Sequence, residues 1–423
     1  MNISWMKNEL RMLNDKGFAE KNVTKPLIHC PDYQPVRADH MSAKNHLSYV
    51  FVHGLSGWGS YDAAYRKMPY WGMRGGDLIG FLREKGFACY AASVAPTGSA
   101  WDRACELYAQ LAGTRTDYGE AHSRCFRHER YGRDYSGCPL IPAWNDRTRL
   151  VLLGHSFGGA TIRLFSELLA HGAPDEQHAA PAGELSPFFA GGMAGRIHSI
   201  VTLASPMNGT TAYDLFEDPG FHPADVPVPW WSKILARMMA VGTGPKKDGR
   251  DERDYAGYDM HLDRAEELNR QISTLPDSYY FSVPCSFTEE TRDGTHRPRR
   301  GIEPLFVMRA NQIGAYTGRT AGGITVGETW RENDGLVNTC SAMAPTGSTS
   351  EALNRESIRP GIWNVFPTVE GDHMWLQGGL LHRHDIRTFY LELVTMIDEL
   401  PDQAIIPKYA SAAPGSESAQ QQR

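Results

Sequence analysis

The segment RLVLLGHSFGG, residues 149–159, constrains the fold more than any other part of the chain. RLVLL reads as a short buried strand. ATIRLFSELLA (Ala160–Ala170) carries helical spacing. Between them lies Gly154-His155-Ser156-Phe157-Gly158, a G-x-S-x-G turn in the one context that gives it meaning. A strand that passes straight into a helix must reverse sharply. The reversal lifts the Ser156 hydroxyl to the open end of a sheet and aims the first N–H groups of the helix at it. The alternative is a plain Gly/Ser turn with no chemistry.

Strand and helix signals alternate along the rest of the chain. SYVFVH (Ser48–His53) is a short, nearly continuous apolar run of the kind covered on both faces, Ala88–Val94 and Ile197–Leu203 read as further strands, and Ile362–Phe366 is a late strand-like run. LIGFLREKG follows a candidate N-cap, Asp77, and ends at Gly86. Trp101–Leu111 and Asp385–Leu400 repeat apolar residues at helical spacing. This alternation predicts an α/β protein with a mostly parallel central sheet flanked by helices. We expect an N-terminal arm (1–45), one main domain (46–409) and a polar low-complexity tail (410–423). Two segments break the alternation. Gly113–Asp146 is charged, aromatic and turn-rich, and a loop that long needs a reason. Tyr213–Arg250 is rich in Pro and Gly around one apolar helix, WWSKILARMM.

Composition narrows the function. Forty-three basic against forty-nine acidic residues give a net charge of −6, which disfavours a nucleic-acid binder. No run is long and apolar enough for a transmembrane segment. No signal-peptide pattern opens the chain, so we expect either a cytoplasmic protein or one whose leader has been removed. The seven Cys are scattered without a CxxC, and an odd count argues against a full disulfide framework. Cys125 with Cys138 is the one pair to test.

A serine hydroxyl needs a histidine to take its proton and a carboxylate to hold that histidine, in chain order Ser…Asp/Glu…His. His373, between the late strand and the last helix, and Asp334, in the turn END-GLV, fill that order. Asp372 is a rival acid. The oxyanion of such a reaction needs two N–H donors. Phe157 follows the nucleophile, and Leu55 lies in HGLSGWG after the first strand. Asp102, His122, His128 and Asp254 are sound ligand types for a metal ion. Their spacing leaves zinc and a solvated polar loop both open.

VHGLSGWG, YWGMRGG, WDRACELYAQL, DYGEAHSRCFRHERYGRDY, GHSFGGATIRL, LASPMNGTT, WRENDGLVNT and DHMW occur in this order from about residue 48 to about residue 400. Block after block, the chain resembles the thermoalkalophilic bacillary and staphylococcal lipases and their short-lidded, zinc-containing esterase and polyesterase relatives. The resemblance implies an α/β-hydrolase fold, with Ser156, Asp334 and His373 as catalytic triad and Leu55 and Phe157 as oxyanion donors. It implies structural zinc at Asp102, His122, His128 and Asp254, stapling an insertion (about 101–146 with 251–259). It also implies a secreted protein.

The chain departs from that family in two places. The lid region, about 213–250, is short, and Trp230, Trp231, Ile234, Leu235 and Met238 form a stripe suited to covering an acyl site. A plain core helix is the alternative. The lipases carry a carboxylate two residues after the catalytic His, where this chain has Trp375, and calcium is not expected. The expected activity is a serine carboxylic-ester hydrolase, a lipase, esterase or polyesterase acting on hydrophobic esters such as acylglycerols. The rivals are an acyltransferase with the same triad, a metallohydrolase and a catalytically silent binding protein.

Overall fold

The computed structural model describes residues 47–240 and 249–403, with 236–240 described for the backbone alone. The expected arm and tail lie outside the described residues.

Seven strands build one sheet: β1 (Leu47–Val52), β2 (Ala88–Ala92), β3 (Arg149–His155), β4 (Ile197–Leu203), β5 (Tyr279–Val283), β6 (Ser350–Ala352) and β7 (Trp363–Val365). Their spatial order is β6-β7-β5-β4-β3-β1-β2, and every neighbouring pair is parallel. The sequence expectation of a parallel α/β sheet holds. β1 explains why such strands read as continuous apolar runs. Tyr49 and Phe51 enter one core with Leu78, Leu82, Tyr390 and Val394, while Val50 and Val52 enter the other with Leu107, Ile162 and Phe165. Both faces are covered, so both parities must be apolar. Removing a ring such as Phe51, which is fully buried, costs about 3–5 kcal/mol.

The helices used below are α1 (Leu78–Glu84), α2 (Ala100–Ala112), α3 (Glu120–Phe126), α4 (Phe157–His171), α5 (Trp230–Ala240), α6 (Val307–Ala315) and α7 (Arg387–Asp398). α1 and α7 contribute to the first core, α2 and α4 to the second. One expected cap is not made: Asp77 precedes α1, but its side chain bonds no backbone N–H there. It accepts a long 3.4 Å bond from Tyr65 instead. The other end is as expected. Gly86, at φ +93°, lets its own N–H reach Arg83 O at 2.9 Å and the Phe87 N–H reach Leu82 O at 3.1 Å, a Schellman ending.

The long segment after α2 is not a structureless loop. Arg115–Asp117 pairs antiparallel with Tyr131–Asp134, and α3 fills the turn between them. Cys125 is exposed, Cys138 is buried, and no disulfide joins them. Among the described residues no helix is long and apolar enough to cross a membrane.

Strand order reverses between β1 and β3, so the loops that leave their carboxyl ends part and open a crevice. Those two loops carry Leu55 and Ser156. Asp334 follows β5 in the chain, and His373 follows β7.

Candidate functional site

Ser156 sits between β3 and α4 at φ 54°, ψ −128°, outside the regions an L-residue adopts readily. The turn is tolerated because its neighbours lack side chains. A Cβ on Gly154 would come within 2.5 Å of the Gly158 carbonyl, one on Gly158 within 2.3 Å of Val52 O, and one on Gly159 within 2.2 Å of Ser205 Oγ. Strand, turn and helix therefore close around Ser156 as the sequence motif requires.

His373 Nε2 lies 2.9 Å from Ser156 Oγ, and His373 Nδ1 lies 2.8 Å from Asp334 Oδ2. All three residues are buried. The other Asp334 oxygen accepts the N–H groups of Leu336 (3.0 Å) and Val337 (2.8 Å), which fixes the carboxylate in place. The His373 N–H donates to Asp334 O at 2.9 Å, so backbone and side chain register the two loops together. The rival acid Asp372 points elsewhere. Its oxygens accept from Glu303 N–H (2.8 Å) and Met374 N–H (3.0 Å), and burial pushes its carboxyl up to about 6 against those bonds.

Gly54 brings the loop after β1 against the nucleophile: a Cβ there would stand 2.8 Å from Ser156 Cβ. Neither the Leu55 nor the Phe157 N–H enters a hydrogen bond among the described residues. Phe157 is the first residue of α4, where N–H groups have no partner within the helix. Arg103 of α2, fully buried, braces this loop. It donates to the carbonyls of His53, Gly54 (3.4 Å) and Ala95 (3.1 Å) and to Thr161 Oγ1 (2.9 Å).

The four candidate ligands converge, although α2 (Asp102), α3 (His122), the turn after it (His128) and the segment before Ala256 (Asp254) supply them from distant parts of the chain. His122 Nε2 lies 3.2 Å from both Asp102 Oδ1 and Asp254 Oδ1. His128 Nε2 lies 3.3 Å from Asp254 Oδ2 and 3.8 Å from Asp102 Oδ1. Four donors each ~2.0–2.2 Å from one zinc would stand roughly 3.3 Å apart, so the cluster has the span of a tetrahedral shell. Asp102 Oδ1, Asp254 Oδ2 and both Nε2 atoms are buried without a hydrogen-bond partner. Buried polar atoms are rarely left so, and together these four could bind a metal ion.

Electrostatics agree with that geometry. Burial opposes charge on the His122 imidazole, but the Asp102 and Asp254 carboxylates outweigh it and push its pKa up to about 9, so the pocket is locally negative. Outer contacts hold the ligands. Asp254 Oδ1 accepts from Ser99 Oγ (2.7 Å), Asp102 Oδ2 from Arg250 (2.7 Å), and His128 Nδ1 faces Glu129 O at 2.9 Å. Buried Glu176 accepts the N–H groups of Ala121 and His122 at 2.9 and 2.7 Å, and Trp101 stacks on the His122 ring.

The first turns of α5 lie at the surface. Trp230, Ile234 and Trp231 are exposed by 75, 51 and 38%. Leu235 turns inward onto a cluster of Ile302, Leu305, Phe306 and Met374, and the Phe306 ring stands edge-on to His373. The Met238 side chain lies outside the described residues.

Sequence reasoning missed Glu303. This buried carboxylate accepts the N–H groups of Leu380, Leu381 and His382 at 2.8, 2.5 and 2.9 Å. It ties the chain after His373 to the body of the protein. In the same stretch of chain Leu376 is buried, and Trp375 packs on His384. Nothing periodic marks such a residue, because its partners are backbone amides.

A seven-stranded parallel sheet with the serine turn after its third strand in chain order defines an α/β-hydrolase. The chain belongs to the family described as "Lipase-like, C-terminal domain", which it matches over residues 45–221 and 247–402. It is 32% identical over 379 residues to Lipase 2 of Staphylococcus aureus, a match covering 84% of this chain and 53% of that one. It is 32% identical over 359 residues to a lipase of Staphylococcus hyicus, covering 78% and 53%. The chain thus spans about half the length of these curated relatives. Among solved structures, it superposes on EstA from Clostridium botulinum with a TM-score of 0.73 at 29% identity, covering 93% of this chain and 98% of EstA. For the S. hyicus lipase the TM-score is 0.70 at 29% identity, covering 87% and 99%.

Proposed function

We propose that this protein is a serine carboxylic-ester hydrolase of the lipase and esterase type, with Ser156, His373 and Asp334 as its triad. The observation that carries the reading is the unbroken relay from Ser156 Oγ through His373 to Asp334, at 2.9 and 2.8 Å. Relatives named lipases support it.

His373 Nε2 takes the hydroxyl proton as Ser156 Oγ attacks the ester carbonyl carbon. The N–H groups of Leu55 and Phe157 receive the negative charge that develops on the carbonyl oxygen. Asp334 holds His373 in the tautomer that accepts the proton and stabilises the imidazolium. Collapse breaks the C–O bond, the leaving alkoxide takes the proton from His373, and the acyl group stays on Ser156. Water, deprotonated by His373, then releases the acid. Leu235 and the apolar cluster around Phe306 offer a wall for the acyl chain, with α5 as a small lid. Hydrophobic esters such as acylglycerols, acyl esters or polyesters are the substrate class. A secreted location rests on resemblance alone.

The residues of the metal cluster fit zinc: two imidazoles and two carboxylates with orphaned, convergent donor atoms. A bound zinc would supply a cross-link for the insertion rather than a reacting group, because four protein ligands fill a tetrahedral shell.

Ser156→Ala tests the proposal. Turnover of p-nitrophenyl esters should fall on the order of 10⁴-fold or more while the melting temperature is kept. Wild-type turnover in that variant would overturn it.

A further inference from the structure

Two buried side chains that no step above uses join the oxyanion loop to the loop of the base. Tyr70 Oη receives the Gly54 N–H at 3.1 Å and lies 2.5 Å from His155 Nδ1. His155 Nε2 lies 2.9 Å from His373 O. Tyr70 and His155 are 4% and 1% exposed, so water does not take over these bonds.

The direction of every bond follows from its ends. The His373 carbonyl can only accept, so His155 Nε2 carries the hydrogen. Nδ1 of a neutral imidazole is then an acceptor, and the Tyr70 hydroxyl donates to it. The lone pairs of Tyr70 remain for the Gly54 N–H. Hydrogen bonds therefore run one way, from Gly54 N–H through Tyr70 and His155 to His373 O, with no donor or acceptor duplicated. Burial, reinforced by His373, holds His155 well below the usual histidine range and keeps it neutral. That matters because its ring centroid is 4.8 Å from that of His373, which must take up a proton.

We infer that Tyr70 and His155 are positioning residues: their one-way chain sets the distance between the oxyanion donor loop, beginning at Gly54, and the backbone that carries His373. Gly54 abuts Ser156 and precedes Leu55, and His155 precedes Ser156, so the chain joins the backbone beside the oxyanion donor, the nucleophile and the base. This rests on the catalytic reading above. Tyr70→Phe leaves the Gly54 N–H and His155 Nδ1 unpaired, and His155→Gln leaves the Tyr70 hydroxyl without its acceptor; each should slow the chemical step by roughly tenfold to a hundredfold. His155→Gln keeps an amide donor in reach of His373 O but has no acceptor at the Nδ1 position, so both variants break the Tyr70–His155 link, and Tyr70→Phe also removes the acceptor of the Gly54 N–H.

The test compares wild type, Tyr70→Phe, His155→Gln and the double variant. Each is measured for kcat and KM on p-nitrophenyl butyrate, for inhibition by a trifluoromethyl ketone that forms a tetrahedral oxyanion on serine, and for labelling by an active-serine phosphonate. The inference expects kcat to fall and the ketone Ki to rise by similar factors, with KM within about twofold. The double variant should be no slower than the slower single. Wild-type kcat in either single, a kcat loss without a matching Ki change, or losses that multiply in the double would overturn it. If Tyr70→Phe does not fold, His155→Gln alone decides by the same kcat and Ki criterion. Failure of wild type to label at Ser156 would instead overturn the catalytic reading.

Discussion

Asp334 Oδ2 lies 2.8 Å from His373 Nδ1, whereas Asp372, the very next residue to His373 in the chain, turns its carboxylate to the Glu303 N–H at 2.8 Å. Neighbours on one strand of backbone diverge, and a residue 39 positions away meets the imidazole because its own turn is fixed by Leu336 and Val337. Asp334→Asn should lower kcat on the order of 10³–10⁴-fold, since an amide donor cannot hold the productive tautomer. Asp372→Asn should stay within about tenfold and lose some thermal stability. A larger catalytic loss at Asp372 than at Asp334, read from kcat of both variants, would reassign the acid.

The metal cluster leads to a separation of effects. His122→Ala and Asp254→Ala should each reduce bound zinc and lower the melting temperature, because a structural zinc can supply about 10 kcal/mol or more to the folded state. Activity at low temperature should fall less than stability does. Elemental analysis with thermal melts checks this. One zinc per chain and full stability in either variant would refute the site.

α5 presents Trp230, Trp231 and Ile234 to solvent and Leu235 to the cluster beside His373. Leu235→Ala and Trp231→Ala should therefore change activity on p-nitrophenyl palmitate several-fold more than on the acetate ester, since a single methylene contact is worth ~1–3 kcal/mol in a substrate pocket. Equal effects across the acyl series would make α5 a packing element only.

The chain after His373 should be indifferent to calcium. The N–H groups of residues 380–382 converge on Glu303, and donors aimed at one point do not suit a cation. Trp375 stands where the resemblance implies a carboxylate. Melting temperature and activity should be the same with calcium or with a calcium-selective chelator. Glu303→Gln should destabilise by about 1.5–3 kcal/mol, the worth of a hydrogen bond to a charged group, in a denaturant melt. A melting temperature that climbs with added calcium would contradict this.

Much of the fold was legible because burial on both faces writes itself into β1 and β3 as nearly continuous apolar runs. The helix after Ser156 begins at Phe157, earlier than its apolar repeat at Ala160 suggested, because Gly158 and Gly159 carry no periodicity. Ser156 was legible locally. Asp334 and His373 needed chain order, and the metal cluster needed resemblance, since Asp102 and Asp254 meet only in three dimensions. Arg103, Glu176, Glu303, Tyr70 and His155 stayed hidden. Each acts mainly on backbone groups or on another buried side chain, and no spacing rule records such a bond. Asp77 illustrates the reverse: the right residue at the right place, with its side chain drawn to Tyr65 instead.

The central claim is that Ser156 is a nucleophile activated by His373. Incubation of the whole protein with an active-serine phosphonate, followed by peptide mass spectrometry, tests it most directly. One adduct per chain on Ser156, lost in Ser156→Ala and strongly slowed in His373→Ala, is the predicted result. An unmodified Ser156 in protein that still hydrolyses esters, or an adduct on another serine, would contradict the account.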